Sequence, residues 1–261
     1  MNQHVKSGFS GVLLVVMGIG LACSSSAALA ARTKYNFNVD WKFHLNAPSG
    51  DATKAGFSDA SWETVSVPHN LENFALFLSP NPDDVYQKKF LRKIGWYRKH
   101  FALPHSKGSK VFLEFEAVGQ VTDLWVNGRY VGQHSIGGYT PFHFDITDYV
   151  KFDGADNVVA VKADFTHNDN IPPDNGKADY LLCGGIYRDV YLVVTDKLHV
   201  TFPFEGKDQG IFITTPEASA SSATVQIQTT VRNEYAADKA TTLMVLPPKF
   251  GPRLMGGFRN I

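Results

Sequence analysis

The chain has 261 residues, and its 25 basic and 25 acidic side chains cancel to a formal net charge of zero. No basic field exists to hold nucleic acid, and no acidic tail stands out. Apolar residues make up 44% and aromatic residues 13%, which supports a packed core and argues against a disordered chain.

Residues 1–30 read as a secretory signal peptide. Lys6 gives a weakly basic start, residues 11–23 form an apolar run too short to span a bilayer, and Ala28-Leu29-Ala30 offers a small-residue cleavage site. The expectation is an exported protein, periplasmic or extracellular. No other membrane association is expected, although Leu21-Ala22-Cys23 leaves open a lipid anchor at Cys23. Gly20 stands where a bulkier aliphatic residue is usual in such anchors. Cleavage after Ala30 would leave Cys183 as the only thiol, so no disulfide would staple the mature chain.

After residue 31 the pattern is that of short strands. Tyr35 to Leu45 alternates, residues 48–59 form a polar loop, and Trp62 to Val67 is a short strand ended by Pro68. Residues 72–94 read as a loop excursion around a Pro-Asn-Pro-Asp turn cluster. Trp96 to Leu103 is a strand, and Lys110 to Val118 alternates Val111, Leu113, Phe115 and Ala117 against Glu114 and Glu116. Asn127-Gly128 between two strand patterns selects a type I′ turn and a two-residue hairpin. Further strands read at Phe142 to Ile146, Asn157 to Phe165, Asp189 to Thr195 and Leu198 to Phe202. This succession is all-β and fits a jelly-roll β-sandwich. Gly210 to Thr215 and Ala223 to Val231 continue as strands in a different style.

Several residues invite a chemical reading. Glu114 and Glu116 lie two apart on one face of one strand, which makes them a solvated stripe rather than a catalytic pair. His167-Asn168-Asp169-Asn170 lacks a second cluster at ligand spacing and reads as a polar loop, so no metal site is assigned. Gly137-Gly138-Tyr139 has no following helix and is no phosphate cradle. Tyr139 and Phe142 read as core and turn residues that are also able to stack on a sugar ring. Trp41, Trp62 and Trp125 fall inside strand patterns and read as core, which leaves Trp96 as the candidate tryptophan. Arg188 and Asp189, neighbours in an extended segment after Gly184-Gly185, point to opposite faces, one anchored in a loop network and the other solvated.

The segment Gly185-Ile186-Tyr187-Arg188-Asp189-Val190-Tyr191-Leu192 resembles the end of the N-terminal sugar-binding domain of glycoside hydrolase family 2. That family includes β-galactosidases, β-glucuronidases and β-mannosidases. Similar segments stand upstream in the family's order: Phe37-Asn38-Val39-Asp40-Trp41, Val67-Pro68-His69-Asn70, Gly95-Trp96-Tyr97-Arg98-Lys99, Trp125-Val126-Asn127-Gly128 and Gly137-Gly138-Tyr139-Thr140-Pro141-Phe142.

The resemblance implies a jelly-roll sugar-binding domain over residues 31–203 and the start of an immunoglobulin-like sandwich over 204–261. Such a sandwich takes about 100 residues, so the second is expected to be incomplete. Residues 246–261 drop the alternation, as a frameshift or premature stop would produce. Family catalysis resides in a (β/α)₈ barrel of about 250 residues, the expected packing partner, for which this chain has no room. Asn233-Glu234 mimics the family's acid/base dipeptide but follows a strand and reads as a turn, so no catalytic residue is assigned.

By the same resemblance, Asp179 is the loop carboxylate that reaches the bound sugar, with Asp174, Trp96 and Tyr139 as weaker substrate-binding candidates. No cofactor is expected, although a monovalent or divalent cation belongs to some full-length parents. Arg92 and Lys93 stand where the β-galactosidases carry an Asn, and Tyr180-Leu181-Leu182 departs from the usual pattern after the loop Asp. Galactoside is therefore only the leading substrate. The expectation is the front part of an exported β-galactosidase-like hydrolase, inactive alone; the alternative is a free-standing carbohydrate-binding module.

Overall fold

A computed structural model of the chain describes residues 2–5, 10–16, 32–71, 93–103, 107–171, 183–205, 208–243 and 259–260. Among them there is no helix, and the fold is all-β as expected. The early strands are β1 (Asn2–Val5), β2 (Ser10–Val16), β3 (Thr33–Asn36), β4 (Trp41–Leu45) and β5 (Glu63–Val65). The middle of the chain gives β6 (Ile94–Ala102), β7 (Lys110–Phe115), β8 (Val121–Val126), β9 (Arg129–His134), β10 (Phe142–Asp145) and β11 (Asp156–Asp164). The rest are β12 (Val190–Thr195), β13 (Leu198–Val200), β14 (Pro203–Glu205), β15 (Asp208–Gln209), β16 (Ile211–Ala218), β17 (Ala223–Asn233), β18 (Lys239–Thr242) and β19 (Arg259–Asn260).

Two compact units result, the larger from residues 34–107, 111–193 and 258–261. It contains a six-stranded sheet in the order β5-β4-β6-β11-β8-β9 and a five-stranded sheet in the order β10-β7-β12-β3-β19. Phe37, Trp41, Tyr97, Phe115, Leu124, Val161 and Leu192 are buried between them. Phe37 packs edge-on against Trp41 at 5.6 Å and against Phe101 at 5.2 Å, an arrangement that aromatic quadrupoles favour.

The run from Tyr35 to Leu45, expected as one strand, is two. β3 belongs to the five-stranded sheet and β4 to the six-stranded one. The break comes where Asn38 leaves the ladder: its Oδ1 accepts from the Val190 amide at 2.8 Å and its Nδ2 donates to Asp189 Oδ1 at 2.9 Å. Asp40 then takes a φ of 58°, and the chain changes sheet. The hairpin between β8 and β9 forms as expected, with Asn127 at φ 53° and Gly128 at φ 82°, both positive as type I′ demands. Glu114 is more than part of a solvated stripe, because Lys34 Nζ lies 2.8 Å from its Oε1.

Along β6, odd-numbered residues from Gly95 to Phe101 face the core and even-numbered ones the outer face. Arg98 is on that outer face and yet fully buried. Residues 51–62 fold over it as a roof. Its Nε donates to Asp59 Oδ2 at 2.8 Å, and the rest of the guanidinium donates to the Ala52, Lys54 and Phe57 carbonyls. The fixed fork of arginine donors suits this job, since several acceptors from one loop converge on one group.

The smaller unit comprises residues 1–33, 108–110 and 194–257. β16 and β17 form a hairpin, β13 joins β17 through Leu198–Val200, and β14 pairs with β15. Within the segment read as a signal peptide, Ser10–Val16 lies antiparallel to β17, and Asn2–Val5 pairs with β18. β17 ends at Asn233, whose Oδ1 accepts from the Tyr235 amide at 3.0 Å, so Asn233-Glu234 begins a local turn.

The roof gives a direct test. Arg98→Ala removes the guanidinium donors from the Asp59 carboxylate and from the Ala52 and Phe57 carbonyls, and the expected loss is about 3–5 kcal/mol of unfolding free energy. Urea denaturation of the variant against wild type measures it.

Candidate functional site

Apart from the Trp125–Gly128 hairpin, where Asn127 bonds to Val158 and Asn157, the segments that resemble the family stand far apart in sequence and meet at one end of the larger unit. They gather around a strap formed by Cys183 to Asp189. On one side, the His69 amide donates to the Ile186 carbonyl at 2.7 Å and the Leu71 amide to the Gly184 carbonyl at 3.0 Å. On the other, Gly119 and Gly185 exchange amide hydrogen bonds of 3.0 and 3.1 Å. No side chain fits at either glycine. A Cβ on Gly119 would lie 2.3 Å from the Cys183 carbonyl oxygen, and one on Gly185, at φ 86°, would lie 2.4 Å from the Tyr97 hydroxyl. The strap's far end is tied by Asp189, which accepts from Asn38 and from the Tyr191 hydroxyl, while Arg188 is exposed. One of the Arg188–Asp189 pair is anchored and the other solvated, as the alternation implied.

Leu71 and Lys93, which bracket residues 72–92, both stand here, the second through a 3.0 Å bond from the Phe165 amide to its carbonyl. Cys183 follows residues 172–182 directly. Asp174, Asp179 and Arg92 lie outside the described residues. Tyr139 is at this end, 36% exposed, with its ring 6.1 Å from that of Tyr187. The Tyr187 hydroxyl donates to the Gly138 carbonyl at 3.1 Å. Burial pushes the Tyr187 phenol above its ordinary value, so it remains a neutral donor. Gln120, fully buried behind Gly138, has no hydrogen-bond partner for its amide among the described residues. Sequence reasoning passed over Tyr187 and Gln120, and only the proximity of Tyr187 to the glycine pair could have flagged it.

Trp96 is elsewhere, on the outer face of the six-stranded sheet, and the structure corrects the reading of Trp125. Trp41 is core. Trp125 is not: it stands half-buried on the same outer face, its ring 5.6 Å from that of Trp96. The signal was present, because Asp123 shares the parity of Trp125 and a carboxylate marks an outward face. Trp62 is buried as the sequence implied, with its ring near those of His44 and Phe57. His167 Nε2 lies 2.6 Å from Asp169 Oδ1, and among the described residues no three metal-ligating side chains converge.

At the strap, Tyr97 and His69 form a buried polar relay. The Tyr97 hydroxyl accepts from the Ile186 amide at 3.4 Å and stands 2.9 Å from His69 Nδ1. Burial raises the phenol's pKa and lowers the imidazole's from its ordinary 6.5, so Tyr97 donates and neutral His69 accepts. A histidine whose folded pKa is depressed contributes stability above the unfolded value, and loses it as pH falls from there towards the folded value. Stability is therefore expected to drop between about pH 7.5 and pH 5.5. Half-buried His134, also depressed by burial, adds in the same direction. Tyr97→Phe is expected to cost about 1–3 kcal/mol and, because burial is what depresses His69, to leave most of the slope in place. Urea midpoints of both proteins at the two pH values check this.

Comparison with known proteins agrees with this geometry. Residues 35–196 match the glycosyl hydrolases family 2 sugar binding domain. A β-glucuronidase of Formosa agariphila is 39% identical over 223 residues, and a β-galactosidase of Thermoanaerobacter pseudethanolicus 38% identical over 201 residues. The matches cover 82% and 77% of this chain but only 22% and 25% of those relatives. Among solved structures, a family 2 β-glucuronidase superposes with a TM-score of 0.66 at 34% identity, over 81% of this chain and 23% of that one. The β-glucuronidase of Bacteroides uniformis gives 0.66 at 33% identity, over 78% and 23%. This chain belongs to glycoside hydrolase family 2 and carries its N-terminal sugar-binding domain.

Proposed function

We propose that this chain is the front part of an exported, retaining β-glycosidase that removes a terminal β-galactosyl or β-glucuronosyl unit, with the chemistry carried out by a barrel domain outside residues 1–261. The observation that carries this reading is the convergence of the family-like segments on the strap beside residues 172–182. Asp179 lies in that segment, and in this reading its carboxylate accepts hydrogen bonds from sugar hydroxyls at the mouth of the barrel. Alone, the chain hydrolyses nothing, because retaining hydrolysis needs two carboxyl groups roughly 5 Å apart that the barrel supplies. The domain boundaries follow the sequence reading, with sugar binding over 31–203 and the start of an immunoglobulin-like sandwich at 204. Relatives named for both β-galactosides and β-glucuronides support the substrate class, and Arg92 and Lys93 keep the second in play.

A chimera tests this. Residues 35–196 replace the matching segment of the Thermoanaerobacter pseudethanolicus β-galactosidase, and hydrolysis of aryl β-galactosides and β-glucuronides is followed. Asp179→Ala in the chimera is expected to lower kcat/KM by about ten- to a hundredfold, the worth of a charged hydrogen bond, with Asp174→Ala within about twofold. An active chimera indifferent to Asp179→Ala would remove Asp179 from the site. Sugar binding by the chain alone that Asp179→Ala abolishes, joined to an inactive chimera, would favour the free-standing carbohydrate-binding module.

Export has its own readout. N-terminal sequencing of the protein recovered from periplasm or medium is expected to begin at Ala31. A lipid-modified Cys23 would instead place the chain on a membrane. Cleavage after Ala30 removes Ser10–Val16 from the side of β17, so the mature protein is expected to expose that strand edge.

A further inference from the structure

The outer face of the six-stranded sheet carries a row of aromatic rings with a polar border. Trp96 and Trp125 lie with planes 27° apart and ring centroids 5.6 Å apart. That separation exceeds face-to-face contact, so the rings are offset and each leaves part of its face open. Ala160, opposite both Arg98 and Trp125 in the ladder, supplies no side chain tall enough to part the two indoles. The row continues to Tyr130, half exposed, whose ring lies 5.3 Å from Trp125. A bulge between Leu124 and Trp125 shifts the register so that Trp125 faces Tyr130 rather than Val131. The border is built around Asp123. Its Oδ1 accepts from the Tyr130 hydroxyl at 3.0 Å and from Gln133 Nε2 at 2.9 Å. Lys162 Nζ stands 3.8 Å from the other Asp123 oxygen and 3.2 Å from Asp164.

We propose that this ledge binds a neutral oligosaccharide, with pyranose rings stacked on Trp96, Trp125 and Tyr130 and their hydroxyls on the Gln133 and Lys162 side. A pyranose has an apolar C–H face and a rim of hydroxyls that both donate and accept. An aromatic row edged by an amide, an ammonium and carboxylates is complementary to that combination. A protein partner would be matched by a wider apolar patch with few charges at its centre. The border holds two carboxylates and one ammonium, so it carries net negative charge and disfavours uronate chains. The ledge is argued from side chains of β6, β8, β9 and β11 and does not depend on the role of Asp179.

Calorimetric titration of the full 261-residue chain with a neutral galacto-oligosaccharide, and with an oligogalacturonate of equal length, tests the ledge. The neutral chain is expected to bind and the uronate to bind more weakly. Trp125→Ala and Trp96→Ala are each expected to weaken binding by about tenfold. Trp125→Phe retains a ring and is expected to stay within about threefold, which separates stacking from misfolding. Absence of binding, tighter binding of the uronate, or binding indifferent to Trp125→Ala overturns the proposal.

Discussion

The close approach of two backbones, Gly119 against Gly185, is the constraint on which the larger unit depends. Two strands of peptide exchange amide hydrogen bonds where neither has space for a methyl group, and the Tyr97 hydroxyl occupies the volume that a Cβ on Gly185 would need. Around that contact the strap collects His69 and Leu71 on one side, and the Tyr187 hydroxyl reaches Gly138. The interior thus has polar chemistry at its end: a phenol donates to an imidazole, and burial keeps both neutral.

The other face of the same sheet is organised by Arg98. A guanidinium taken out of water is costly unless every donor finds an acceptor, and here one loop supplies nearly all of them. Residues 51–62 are thereby held against the sheet without a ladder of their own. One half of the outer face is closed by a charge and its acceptors, and the other carries an aromatic row in which Trp96 and Trp125 are part-buried and Tyr130 is half exposed.

Much of this was legible in the sequence, for reasons that differ by element. Asn127-Gly128 names its turn because only certain residues tolerate positive φ at both central positions. Lys110–Phe115 and Asp156–Asp164 follow from alternation. The split between β3 and β4 was not legible, because alternation runs straight through Phe37 and the break is made by Asn38 bonding to residues 151 and 152 positions away. Trp125 was misread for a related reason. Alternation says which residues share a face, but whether an outer face is roofed or open depends on where a distant loop lands. The Asp179 reading rests on likeness alone, since residues 172–182 lie outside those described.

The smaller unit carries a consequence of its own. Ile211 and Ile213 on β16 share a face with Val225 on β17, and they are 60%, 59% and 45% exposed. Contiguous branched aliphatics open to water attract anything that can cover them. In solution such a surface takes up hydrophobic dyes, adheres to chaperones and raises the concentration dependence of precipitation. Association through these side chains therefore grows with concentration, at a place far in sequence from the strap.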